Sequence, residues 1–301
     1  MSQFGHSVGP GRVTVGPAGG QRQQQRATPA FDDAPAPIQW VARAGYAAKG
    51  VVYCLVGLLA VLAALGERHG ETTGQKGALS KLMDHSGGVL LVSALAVGLA
   101  AYALWLLVRG ILDPEHKGTK PKGLALRAGM VIRGLVHAAL VVAVIGMVTG
   151  RGERGDGESN IQKWTAQLMD LPFGRWLAIG AGLGVIGYAV WQFVKAWKIK
   201  LDKMLDLSEV RPSTRRAVTY VSRVGIGARG LVFIGIGVGL ILAGRHDDAG
   251  QAKGVGGALQ WLAGQPYGPW ILLATAIGLI AYGFYEFVRA RYRVIRAPHV
   301  G

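Results

Sequence analysis

Residues 43–66 read RAGYAAKGVVYCLVGLLAVLAALG: a basic, glycine-marked entry followed by 17 residues, Gly50–Gly66, without Asp, Glu, Lys or Arg. Five more charge-free runs follow, at His85–Val108, Gly134–Gly150, Trp176–Val194, Gly230–Gly244 and Gly254–Tyr285. A helix needs about 20 residues to cross the hydrocarbon core of a bilayer. The second, fourth and sixth runs meet that length. The first, third and fifth are preceded by small or apolar stretches broken by one basic residue, Lys49, Arg133 or Arg229. A long basic side chain can snorkel to the headgroups from that depth, so these helices are expected to begin at Arg43, Arg127 and Arg223. The last run exceeds one span and is expected to include a surface segment before Pro269. Six such runs leave too little polar surface for a soluble domain. The chain reads as an all-α, polytopic membrane protein of six transmembrane helices.

Composition alone leaves a rival. With 33 Lys and Arg against 17 Asp and Glu, the net charge is +16, as in a nucleic-acid binder. Yet only 17% of the 301 residues are charged, against about 25% in globular domains, and the mean hydropathy is +0.31. Sorting charges by segment decides between them. The two termini and the loops after the second and fourth spans hold 24 basic and 8 acidic residues; the alternate loops hold 9 of each. The whole excess lies on one side, and the positive-inside rule makes that side, with both termini, cytoplasmic. Nucleic acid is excluded as the expected partner. A single cysteine, Cys54, excludes an internal disulfide or a cysteine metal cluster.

Internal repeats carry the architecture. Ahead of each odd span stands Arg-x-Gly-x-x-x-(Lys/Arg)-Gly: Arg43, Gly45, Lys49, Gly50; Arg127, Gly129, Arg133, Gly134; Arg223, Gly225, Arg229, Gly230. Each even span carries small-x-x-x-Gly-x-x-x-Tyr-x-x-(Trp/Tyr)-x-x-x-(Lys/Arg). The copies are Ala94, Gly98, Tyr102, Trp105, Arg109; Gly180, Gly184, Tyr188, Trp191, Lys195; and Ala274, Gly278, Tyr282, Tyr285, Arg289. A further glycine, Gly88, Gly174 or Gly268, lies ten residues before each motif glycine. The expected organisation is a disordered, proline-rich cytoplasmic tail over 1–38 and two-helix repeats at 39–114, 122–200 and 218–293. A short cytoplasmic tail, 294–301, ends the chain. Two helices per repeat give every copy the same orientation, hence a pseudo-threefold arrangement about the membrane normal.

These residues resemble the bacterial domain-of-unknown-function family 1206, membrane proteins of three tandem two-helix repeats. The resemblance covers about Trp40 to Arg293 and implies the architecture and a bacterial inner-membrane location, with no assigned activity or catalytic residues. Copy two departs in its outer loop, with Lys163-Trp164-Thr165 where copies one and three have Gly77-Ala78-Leu79 and Gly257-Ala258-Leu259.

The small residue and glycine of each even span lie one turn apart on one face, where they let a neighbouring backbone approach closely in lipid. Ala94, Gly98, Tyr102, Gly180, Gly184, Tyr188, Ala274, Gly278 and Tyr282 are therefore read first as a helix-packing motif. A ligand site built from the three tyrosines is the sharper alternative. Arg43, Lys49, Arg127, Arg133, Arg223 and Arg229 are read as interfacial anchors or, through the repeat symmetry, as a ring for anions or lipid headgroups. The loops after the odd spans carry apolar residues at helical spacing and are expected to lie as amphipathic helices on the outer membrane surface. Gly225–Gly230 fits Gly-x-Gly-x-x-Gly but opens a span instead of following a strand, so no dinucleotide is expected. His137 is alone in its depth and reads as a packed, hydrogen-bonded histidine. Glu286, the one acid within a span end, has Arg289 and Arg291 nearby.

No metal, cofactor or catalytic constellation is expected. The function expected is that of a non-enzymatic scaffold or lipid-interacting protein. The alternative is a transporter or channel for a small solute or anion along the pseudo-threefold axis. Partners expected are anionic membrane lipids on the cytoplasmic side, with a homo-oligomer or a membrane-protein partner left open.

Overall fold

A computed structural model describes residues 36–67, 70–114, 116–155, 157–198, 205 and 211–293. Except for its last three positions, the expected disordered tail at 1–38 lies outside these residues, as does the tail at 294–301. The chain runs α1 (Ala36–Ala64), α2 (Gln75–Met83), α3 (Gly88–Ile111), α4 (Pro121–Val148), α5 (Glu158–Met169), α6 (Gly174–Lys198), α7 (Pro212–His246), α8 (Val255–Ala263) and α9 (Gly268–Tyr292). Six of these, α1, α3, α4, α6, α7 and α9, are long and apolar enough to cross a membrane. No strand occurs among the described residues, only an isolated bridge between Leu205 and Arg293.

The odd spans begin earlier than Arg43, Arg127 and Arg223, the starts expected from the sequence. α1 starts at Ala36, and α4 and α7 start at Pro121 and Pro212. Proline is preorganised for a first helical turn, and basic residues in the added turns do not break a helix, so the amide ladder continues past the apolar run. The even spans begin at the repeat glycines Gly88, Gly174 and Gly268. Each follows a residue in the left-handed region, Gly87, Phe173 or Tyr267. At each repeat glycine a Cβ would collide with a carbonyl of the preceding short helix, at Leu82, Leu168 or Ala263. That corner, repeated three times, turns each short helix into the next span.

The six spans pack in the order α4–α3–α1–α9–α7–α6. Contacts between repeats are equivalent: Gly50 faces the Phe287 ring, Gly134 the Leu107 side chain and Gly230 the Phe193 ring. Contacts within a repeat are not. In repeat one the Gly45 Cα abuts the Tyr102 backbone and Gly98 abuts Ala48. Repeat three matches it, with Gly225 on Tyr282 and Gly278 on Ala228. In repeat two a Cβ on Gly129, Gly180 or Gly184 would meet nothing within 4 Å, and α4 and α6 do not form a packed pair. The alignment supplies the cause. Ala48 and Ala228 are matched by Ile132, whose branched side chain prevents the close crossing.

α2 and α8 form at the expected places and turn their apolar side inward. They bury Ala78, Leu79, Ala258 and Leu259 in the main core beside Val52, Val56, Val144 and Leu279. Ala258 rests against Gly235 of α7. α5 behaves as expected of an exposed helix: only Thr165 is buried and Trp164 is exposed. Its Lys163-Trp164-Thr165 cannot enter the apolar space that Gly-Ala-Leu fills. The Glu158 carboxylate of α5 accepts hydrogen bonds from Gly254 N (2.7 Å) and Gly257 N (3.0 Å), capping α8. α2 and α8 thus extend the apolar core at the end of the bundle bearing the short helices.

Candidate functional site

Toward the other end, the second motif basic residue of α1 and α7 turns inward and meets the motif tyrosines. Lys49 Nζ donates to Tyr102 Oη (3.0 Å), Tyr282 Oη (3.1 Å) and Glu286 Oε1 (2.8 Å). Arg229 donates through Nε to Tyr53 Oη (3.0 Å) and through Nη1 to Tyr188 Oη (3.2 Å). Its guanidinium also lies 5.1 Å from the Tyr282 ring centroid and 4.7 Å from that of Phe233. Glu286 Oε2 accepts from Arg289 Nη1 at 2.7 Å, and Arg289 lies 4.2 Å from the Tyr46 ring centroid. Trp105 Nε1 donates to Tyr46 Oη at 3.2 Å.

The tyrosines read first as packing residues therefore also hydrogen-bond the buried cations. Their rings border the helix crossings, and their hydroxyls find the partners that burial in hydrocarbon demands. The six candidate ring residues separate. Lys49 and Arg229 join the cluster. Arg127 instead donates to the last carbonyls of α3, Gly110 O (2.9 Å) and Ile111 O (2.7 Å), and so caps that helix. Arg43 is half-buried and Arg223 is exposed. Arg133 is half-buried on α4; its one hydrogen bond runs back to Gly129 O, through Nε at 2.8 Å, with no carboxylate paired to it.

Sequence reasoning missed two things. Lys49 is the partner of Glu286, from the opposite end of the chain. Glu286 also has a counterpart in each repeat, Leu106 and Gln192, as His137 has Tyr53 and Phe233. Comparing the unconstrained motif positions across copies would have exposed both series. Gln192 is 1% exposed, with Oε1 unpartnered; His137 is 6% exposed, with Nδ1 on Arg133 O (2.8 Å) and Nε2 unpartnered. The His137 ring meets Tyr102 edge-on at 4.9 Å.

Charge dominates this region. Lys49, Arg109, Arg229, Arg289 and Arg293 are each less than a tenth exposed, and Glu286 is the one equally buried carboxylate among the described residues. Tyrosine rings and hydroxyls disperse part of the excess; buried cation–π contacts are worth about 2 kcal/mol or more. The cluster offers donors in several directions, and its one carboxylate is held by two cations. Among the described residues no group of three His, Cys, Asp or Glu is placed to hold a metal.

Fold and site together define a multi-pass membrane protein of three tandem helical hairpins around a buried basic and tyrosine cluster. The chain belongs to the family described as Domain of Unknown Function (DUF1206), whose model matches residues 44–113, 128–198 and 224–293, once per repeat. It is 34% identical over 256 residues to the uncharacterized protein YxxB of Bacillus subtilis (strain 168), covering 85% of this chain and 91% of that protein. No solved structure matches it.

Proposed function

We propose that this is a non-enzymatic, lipid-interacting protein of the bacterial inner membrane that binds anionic lipid through its buried basic cluster. Both termini and the basic loops face the cytoplasm in this reading, since the net charge of +16 lies wholly on that side. The carrying observation is that Lys49, Arg229 and Arg289 are buried around one carboxylate, Glu286, among the described residues. Excess charge at such depth is costly, and an anionic headgroup supplies further counter-charge. Anionic lipid of the cytoplasmic leaflet is the most abundant nearby source. The rival reading, a solute or anion pathway along the axis, is disfavoured by the apolar core that α2 and α8 extend at the opposite end. Nucleic acid is not a partner in this reading.

The test uses the full-length protein in phosphatidylcholine nanodiscs, with phosphatidylglycerol added at increasing fractions and bound lipid read by native mass spectrometry. Preferential retention of phosphatidylglycerol, weakened in Arg229→Gln, is the expected result. Equal retention of both lipids would refute the proposal.

A further inference from the structure

Repeat two is the one hairpin that stands open, and two of its buried polar atoms lack partners. Tyr102 accepts from Lys49 of its own repeat, and Tyr282 faces Arg229 of its own repeat. Arg133 has instead left Tyr188, which Arg229 of the next repeat holds, and folds its Nε back onto Gly129. Among the nearly inaccessible atoms without a hydrogen-bond partner, His137 Nε2 on α4 and Gln192 Oε1 on α6 belong to the two helices that fail to pair. Both occupy positions whose counterparts, Tyr53 and Glu286, point into the cluster.

Resting on the lipid-binding reading above, we infer that the opening between α4 and α6 is the seat of one anionic phospholipid. Its phosphate meets Arg133, hydroxyls of its headgroup donate to the acceptors His137 Nε2 and Gln192 Oε1, and an acyl chain lies along the glycine face of Gly180, Gly184 and Gly187. A Cβ on any of these three glycines would meet no neighbour within 4 Å. Charge complementarity selects this occupant. The apolar face of a second copy would leave Arg133 without a counter-charge, and a free phosphate would leave the hydrocarbon-depth opening unfilled. Ile132, 61% exposed, is the wedge that keeps the seat open.

The experiment compares wild type, Ile132→Ala, Ile132→Leu and Arg133→Gln in the same mixed nanodiscs, with a photoactivatable phosphatidylglycerol whose reactive group lies mid-chain. Adducts are mapped by mass spectrometry. Wild type and Ile132→Leu are expected to retain phosphatidylglycerol and form adducts on α4 and α6. Ile132→Ala, free to close like repeats one and three, and Arg133→Gln are expected to lose about tenfold in retention, as for one charge-assisted contact. Because Ile132 is exposed, its truncation leaves the core intact, so a loss reports on the seat. Wild type without preference for phosphatidylglycerol defeats the underlying lipid reading. Preference that survives both variants, with adducts elsewhere, defeats this inference alone. Inorganic phosphate displacing the lipid adducts, or a dimer cross-linked through α4 and α6, would also overturn it.

Discussion

Lys49 donates to Glu286 across 2.8 Å, joining the first span of repeat one to the last span of repeat three. The carboxylate is fully buried and also holds Arg289. Around it cations outnumber anions, so the two partners are not equivalent.

Removing the carboxylate leaves two buried cations without counter-charge, whereas removing the lysine lowers the excess by one. Breaking a buried ion pair typically costs about 3–5 kcal/mol. Glu286→Gln is therefore expected to lower the thermal unfolding midpoint in detergent by clearly more than Lys49→Gln. The reverse order would show that the cluster is not short of negative charge.

Spans, repeats and cation positions were legible because they follow from local spacing: charge-free length, a glycine and a basic residue at fixed offsets. The partners were not. Glu286 looks like a residue paired with Arg289 within one helix; only the closure of repeat three onto repeat one brings Lys49 to it. The open hairpin was encoded at Ile132, but a motif that treats that position as free hides the exchange of alanine for a branched side chain. The short helices were legible along the chain, but the burial of α2 and α8 against the core was not. Gly77-Ala78-Leu79 is as compatible with a buried cap as with a lipid surface until Gly235 and its neighbours define the space above the core.

The sidedness proposed from the charge distribution is open to labelling. In a Cys54→Ser background, Lys163→Cys in α5 is expected to react with a membrane-impermeant maleimide on intact cells. Lys120→Cys, at the start of α4, is expected to react only after permeabilisation. The opposite pattern would invert the topology and move the basic cluster away from the cytoplasmic leaflet.

The loop between α3 and α4 carries a pH-sensitive clasp. Partial burial pushes the Asp113 carboxyl up, but hydrogen bonds from Lys117 N and Gly118 N, both 2.8 Å, and the charge of Arg127 together hold it below its ordinary value of 3.8. A carboxylate with a depressed folded value stabilises the fold above that ordinary value and loses its contribution as pH falls through the lower one. The protection factors of the Lys117 and Gly118 amides, taken against the intrinsic exchange rate at each pH, are therefore expected to fall below about pH 4 in the wild type. Asp113→Asn should show lower protection at neutral pH and little further change in protection on acidification. Identical profiles for the two proteins would exclude the clasp.

Glycine substitutions test whether repeat two stands open in the membrane. A Cβ on Gly98 would lie 2.5 Å from that of Ala48, and one on Gly278 would collide with Ala228. Neither can be relieved without separating the helices, and overpacking of this kind costs about 1–3 kcal/mol. Gly98→Ala and Gly278→Ala are thus expected to lower the unfolding midpoint. Gly184 occupies the same motif position but faces open space. Gly184→Ala is expected to be neutral or stabilising, since alanine favours a helix interior by up to about 1 kcal/mol. If Gly184→Ala destabilised as much as the other two, α4 and α6 would have to meet in the bilayer as their counterparts do. The three variants, unfolded side by side in the same lipid-containing micelles, separate an open hairpin from a closed one without requiring the ligand.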